Sequence, residues 1–212
     1  MTSPDPERAL ILAYAPPVGR AALAAALMLD DALAALLRTT REPAIGQIRL
    51  AWWREALERL DSAPPPAEPV LQAVAASGLS GSALTPIVNG WEVLIEAERL
   101  DAAALRRFAE GRGALFVVVG AAMGAGADPL AEAGQGWALA DLARHLAPPD
   151  EAAEARNAAE RLLDVAAKAH WSRNGRALGA MAHLARRDLG RDGETAPISR
   201  ISRLFWHRLT GR

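Results

Sequence analysis

Cysteine is absent from this 212-residue chain. Disulfides and thiolate metal sites are therefore excluded, and nothing in the residue content points to an oxidising compartment. Charge of one sign is also missing: 24 Lys and Arg face 25 Asp and Glu, a formal net charge of -1. No global field draws the chain to nucleic acid or to an anionic membrane. No long uninterrupted apolar run occurs. The longest, residues 114–127, is broken by Gly120, Gly124 and Gly126 and falls short of the roughly 20 residues that span a bilayer. The first residues, with Pro4, Asp5, Pro6 and Glu7, do not read as a signal peptide. A cytoplasmic location is the default expectation.

What is present favours helix. Hydrophobic residues make up 51% and charged residues 23%, the balance of a globular chain. Alanine and leucine dominate, β-branched residues are scarce, and proline and glycine cluster at breaks. The expected helices cover about residues 20–39, 44–61, 70–76, 84–98, a segment from 102 into the apolar run, 129–146, 151–169 and 175–188. A last amphipathic helix is expected over 198–209. Residues 62–69 (SAPPPAEP) form the clearest loop. Asp101 suits the N-cap of the helix that follows it. Gly113, Gly120 and Gly124 fall near one face, where another helix would approach closely. No fixed-period repeat and no second domain is indicated, so residues 1–212 are read as one all-α domain.

Four groups of residues invite a chemical reading. In the first long helix Leu23, Leu27, Asp30, Ala34 and Leu37 form the core-facing stripe, with Asp31 at its edge. A carboxylate inside an apolar stripe needs a partner. Asp30 and Asp31 either face a central cavity, to bind Mg²⁺ or a basic group, or point to solvent or pair with Arg38 or Arg41. In the second helix Trp52 and Trp53 cannot point the same way. One is expected in the core, with Arg49, Arg54 and Glu55 as surface charges on the bland account. In 129–146, Asp141 sits one turn before Arg144 and His145, either as an exposed pair or as part of a polar cavity lining. His145, His170, His183 and His207 lack zinc spacing; no G-x-S-x-G occurs; Gly111-Arg112-Gly113 is not a phosphate loop. The basic, aromatic tail around Arg200, Arg203, Leu204, Phe205 and Trp206 either touches a membrane surface or docks on its own domain.

The segment Glu42-Pro43-Ala44-Ile45-Gly46-Gln47-Ile48-Arg49-Leu50-Ala51-Trp52-Trp53-Arg54-Glu55-Ala56-Leu57 resembles the E-P-x-[IL]-G-x-[IM]-R-L-x-W-W-R-x-A-[IL] stretch of the squalene/phytoene synthase family. Within that family it is nearest to the branch containing a mitochondrial complex I assembly factor and its alphaproteobacterial relatives. Asp30-Asp31 stand where the first aspartate-rich motif lies, and Gly113-Ala114-Leu115-Phe116 resembles the small-Leu-Phe helix. The resemblance spans about residues 10–146. It implies an isoprenoid (terpenoid) synthase-like helical fold around a central cavity. For an active enzyme it implies Asp30 and Asp31 on Mg²⁺, with Arg49, Arg54 and Arg144 on prenyl diphosphate.

The departures are specific. Ala34 replaces the third acid of the first motif. In the second motif, roughly Q-x-x-N-I-x-R-D-x-x-x-D, Asp141 stands for Asn and Arg144 is kept, while His145 and Pro149 replace both aspartates. A magnesium ion needs several hard oxygen ligands, which histidine and proline do not supply. The expectation is a degenerate, non-catalytic homologue that needs no cofactor and binds a lipid or a protein partner, peripheral to the inner membrane. Asp30, Asp31, Arg49, Trp53, Arg54, Asp141 and Arg144 are the cavity candidates. The alternative is a Mg²⁺-dependent head-to-head prenyltransferase. That alternative requires Asp30 and Asp141 to face one space.

Overall fold

Proline sets the helix starts. In the computed structural model, which describes residues 6–190, α2 (Pro17–Thr39), α3 (Pro43–Arg59), α4 (Pro69–Ser77) and α8 (Pro149–Lys168) each carry proline in the first two helical positions. There the missing N–H has no intrahelical partner to lose and φ is already helical. The other helices are α1 (Pro6–Tyr14), α5 (Gly81–Glu96), α6 (Ala102–Met123), α7 (Leu130–Ala143) and α9 (Arg176–Leu189). The described residues contain no strand, and no helix among them is long and apolar enough to cross a membrane. The expected helix over 198–209 lies outside the described residues.

Several boundaries differ from the sequence reading. α1 was not expected: the first helix read from the sequence began at about residue 20. α2 begins at Pro17 rather than residue 20. α5 begins at Gly81 and runs through Pro86. Proline at that position cannot bond the Ser82 carbonyl four residues back. The Thr85 hydroxyl donates to that carbonyl instead, at 2.9 Å. Upstream, the Asp61 carboxylate accepts from the Gly81 and Ser82 amides, and bonds from the serine hydroxyls and these amides hold its pKa down at about 2. The Asp101 carboxylate caps α6 as expected, accepting from Ala103 and Ala104 at 3.0 and 2.8 Å.

One hydrophobic core runs through all nine helices of the described residues. α6 lies at its centre, packed between α5 and α7 with α2 across it, and α8 and α9 close the far side of α7. The α5–α6–α7 sandwich is unusually tight because glycines meet backbone to backbone. A Cβ on Gly111 would lie 2.5 Å from Gly90 Cα, and one on Gly113 2.6 Å from Gln135 N. Gly120 admits Leu130. Gly124 has another role from the one expected: it ends α6 at φ 71°, the left-handed C-cap that glycine adopts without strain.

Candidate functional site

The glycines on each side of Arg112 determine its surroundings. Gly111 brings α5 close and Gly113 brings α7 close, so the side chain between them enters a slot walled by both helices. The guanidinium carbon stands 4.6 Å from the Trp91 ring of α5 and 4.4 Å from the Trp137 ring of α7. Phe108 lies 5.9 Å away. A cation over aromatic faces is favoured by their quadrupoles, most of all where water is excluded.

Asp30 meets that cation from α2. Arg112 Nε donates to Asp30 Oδ1 at 2.9 Å and Nη2 to Oδ2 at 2.8 Å, a fork on both carboxylate oxygens. Trp91 Nε1 donates to the same Oδ1 at 2.9 Å. Both charged side chains are 5% exposed. The third N–H pair of the guanidinium serves α7: Nη1 donates to Asp141 Oδ2 at 2.7 Å. Burial alone would lower the Arg112 pKa, but the Asp30 and Asp141 charges outweigh it and hold it above its ordinary value. Burial likewise pushes Asp141 up, and the charge and hydrogen bonds of Arg112 and Arg144 bring it below the usual carboxylate range.

From this buried trio the network reaches the surface. Arg144 Nη2 donates to Asp141 Oδ1 at 2.8 Å, and its Nη1 lies 3.4 Å from Asp188 of α9. His145 Nδ1 lies 2.8 Å from the Asp141 carbonyl. A cleft of about 410 Å³ opens here. Asp30, Arg112 and Trp137 lie at its base; Ile11, Leu27, Met181 and Leu184 form apolar walls; Arg8, Asp31, Arg38, Arg144 and His145 stand at the rim. Asp31 pairs with Arg8 of α1. Arg38 is exposed and has no partner among the described residues.

Of the seven candidates, Asp30, Asp31, Asp141 and Arg144 line this one cleft. Asp30 and Asp141 thus share a space, but they meet on a guanidinium. The pairing of Asp30 is neither Arg38 nor Arg41. Arg49, Trp53 and Arg54 do not line the cleft. Arg49 donates to Thr40 Oγ1 at 3.0 Å. Arg54 is tied to Asn89 and Glu92 of α5. Trp53 packs in the core at 8% exposed while Trp52 stays 46% exposed, the different orientations expected of neighbours on a helix.

The residues present do not fit a magnesium ion. Both Asp30 oxygens are taken by a resident cation, Asp31 turns to Arg8, and no group of three or more carboxylates, histidines or cysteines among the described residues could hold a metal. α7 stops at Ala143. His145 lies beyond the helix, and Pro149 already starts α8, so acids placed at those positions would not extend the face of α7 that carries Asp141. Arg112 was missed by the sequence reading; the glycine on each side of it was the available signal. No family model, curated protein or solved structure matches the chain.

Proposed function

We propose that this chain is a non-catalytic binding protein on an isoprenoid synthase-like fold, taking a lipid or a segment of a protein partner in the cleft above Arg112. One observation carries the reading: the carboxylate in the position of a metal ligand is engaged on both oxygens by a buried arginine. A fixed guanidinium supplies positive charge without an open coordination position, so it cannot bridge diphosphate oxygens as a magnesium ion does. The apolar walls suit a hydrocarbon chain, and the rim, with both signs of charge, suits a polar end group. A cytoplasmic protein peripheral to the inner membrane is the setting we propose, in keeping with the branch it resembles.

A second reading, a prenyltransferase acting on prenyl diphosphates with Mg²⁺, draws on the convergence of Asp30, Asp31, Asp141 and Arg144 on one cleft. A turnover assay separates the two. Purified protein is incubated with Mg²⁺, NADPH and labelled farnesyl or geranylgeranyl diphosphate, and diphosphate release is followed. The expected result is no release by folded protein, with prenyl or acyl chains still changing the fluorescence of Trp137. Release that disappears in Asp31→Ala and Arg144→Ala, both at the rim, would overturn the proposal.

A further inference from the structure

A second cleft lies beyond the other end of α1, and the charged residues among its described lining are all arginines. It measures about 770 Å³ and is lined by residues 13–17, Arg20, Arg173, Asn174 and Arg176. Three arginines are among its lining residues, and among the described residues no carboxylate lines it. In a chain of nearly balanced charge that is a local excess, where pairs such as Arg99–Asp150, Arg107–Glu96 and Arg186–Asp164 combine both signs. Arg173 is exposed with no partner among the described residues. Arg20 uses Nη2 on the Ala13 and Ala15 carbonyls, at 3.4 and 3.1 Å, and keeps Nε and Nη1. Asp128, behind the turn, is bonded to the Ser172 amide and hydroxyl at 2.9 and 2.7 Å.

The backbone adds to the same potential. α2 and α9 both begin at this cleft. Neither has an acidic residue in its first turn, and neither has a side-chain cap on its first amides. Among the described residues, neither positive helix end meets an acidic side chain in its first turn. Guanidinium groups match the oxygens of a phosphate, which they bind in bidentate fashion. The cleft is larger than one phosphate needs, and Val18, 75% exposed, lies next to it.

We propose that this cleft, formed by the α1–α2 junction and the α8–α9 turn, binds the phosphate group of a phosphoester or of an anionic lipid headgroup. The site is independent of the cleft above Arg112. Amide shifts of isotope-labelled full-length chain are followed during titration with inorganic phosphate and pyrophosphate. Sedimentation with phosphatidylcholine vesicles, with and without phosphatidic acid, is measured alongside. The expected result is saturable shifts around residues 14–20 and 173–176. Arg173→Glu should weaken them about tenfold or more, the scale of one charge-assisted hydrogen bond, while Arg156→Glu, elsewhere on α8, leaves them unchanged. Retention on phosphatidic acid vesicles that pyrophosphate competes away assigns the headgroup; pyrophosphate binding without retention assigns a free phosphoester. Absence of both in the wild type, or equal losses in the two variants, overturns the proposal. Arg173 is exposed and makes no hydrogen bond or ion pair among the described residues, and Arg173→Gln serves as the milder variant.

Discussion

Arg112 and Asp30 illustrate at the level of single residues how a buried charge is kept. Each alone would be costly to desolvate; together they satisfy two oxygens and two N–H groups in a dry slot. Removing one partner strands the other. Arg112→Leu is therefore expected to cost about 3–5 kcal/mol in denaturant unfolding, because Asp30 is left charged and unmatched. Adding Asp30→Leu should recover part of that loss, since only the Trp91 N–H, and no buried charge of the pair, is then left without its partner. Urea melts of the two singles and the double form the cycle that measures the pair. A double variant no more stable than Arg112→Leu would show that Asp30 is not the stranded group.

Among the helices, the close contacts of α6 are made by backbone, which has no rotamer to give. A methyl at Gly111 would sit 2.5 Å from Gly90 Cα and 2.7 Å from the Pro86 carbonyl. Gly111→Ala should therefore destabilise by about 1–3 kcal/mol through overpacking. Gly126, where a Cβ meets nothing within 4 Å, should tolerate the same change within about 0.5 kcal/mol. Thermal melts of the two variants test the contrast. The same helices mark what was readable in advance. The periodicity of α2 put Asp30 on its buried stripe, and the Trp52-Trp53 pair announced that one ring packs in the core and the other points elsewhere. Arg112 was not legible, because its partners lie 82 and 29 residues away and only packing brings them together. The α1 helix was hidden by a proline that reads as a break but serves as a first helical residue.

For the whole molecule, the charge network fixes the response to acid. The Asp141 pKa lies below its ordinary value in the folded chain. Its stabilising contribution is therefore complete above the unfolded carboxylate pKa of about 4 and is lost as pH falls through the lower folded value. Asp61 and Asp101, held down by their capping bonds, act in the same direction. Melting temperature should stay nearly flat from neutral pH to about 5 and fall steeply below about 4. In Asp141→Asn the fall should be shallower, with a lower plateau. A plateau extending unchanged into strong acid would remove Asp141 from the account.

The arginine slot also has a bearing on the order in which the chain assembles. Its walls come from α5 and α7 and its carboxylates from α2 and α7. Until all of them are docked, a partly closed slot holds a cation without its counter-ions, which opposes premature collapse around it. Closure therefore belongs after the folding barrier, and its contribution falls on the rate of opening. In stopped-flow measurements Arg112→Leu should speed unfolding while leaving the refolding rate almost unchanged. On this expectation the buried Arg112 is a latch, set last and released first.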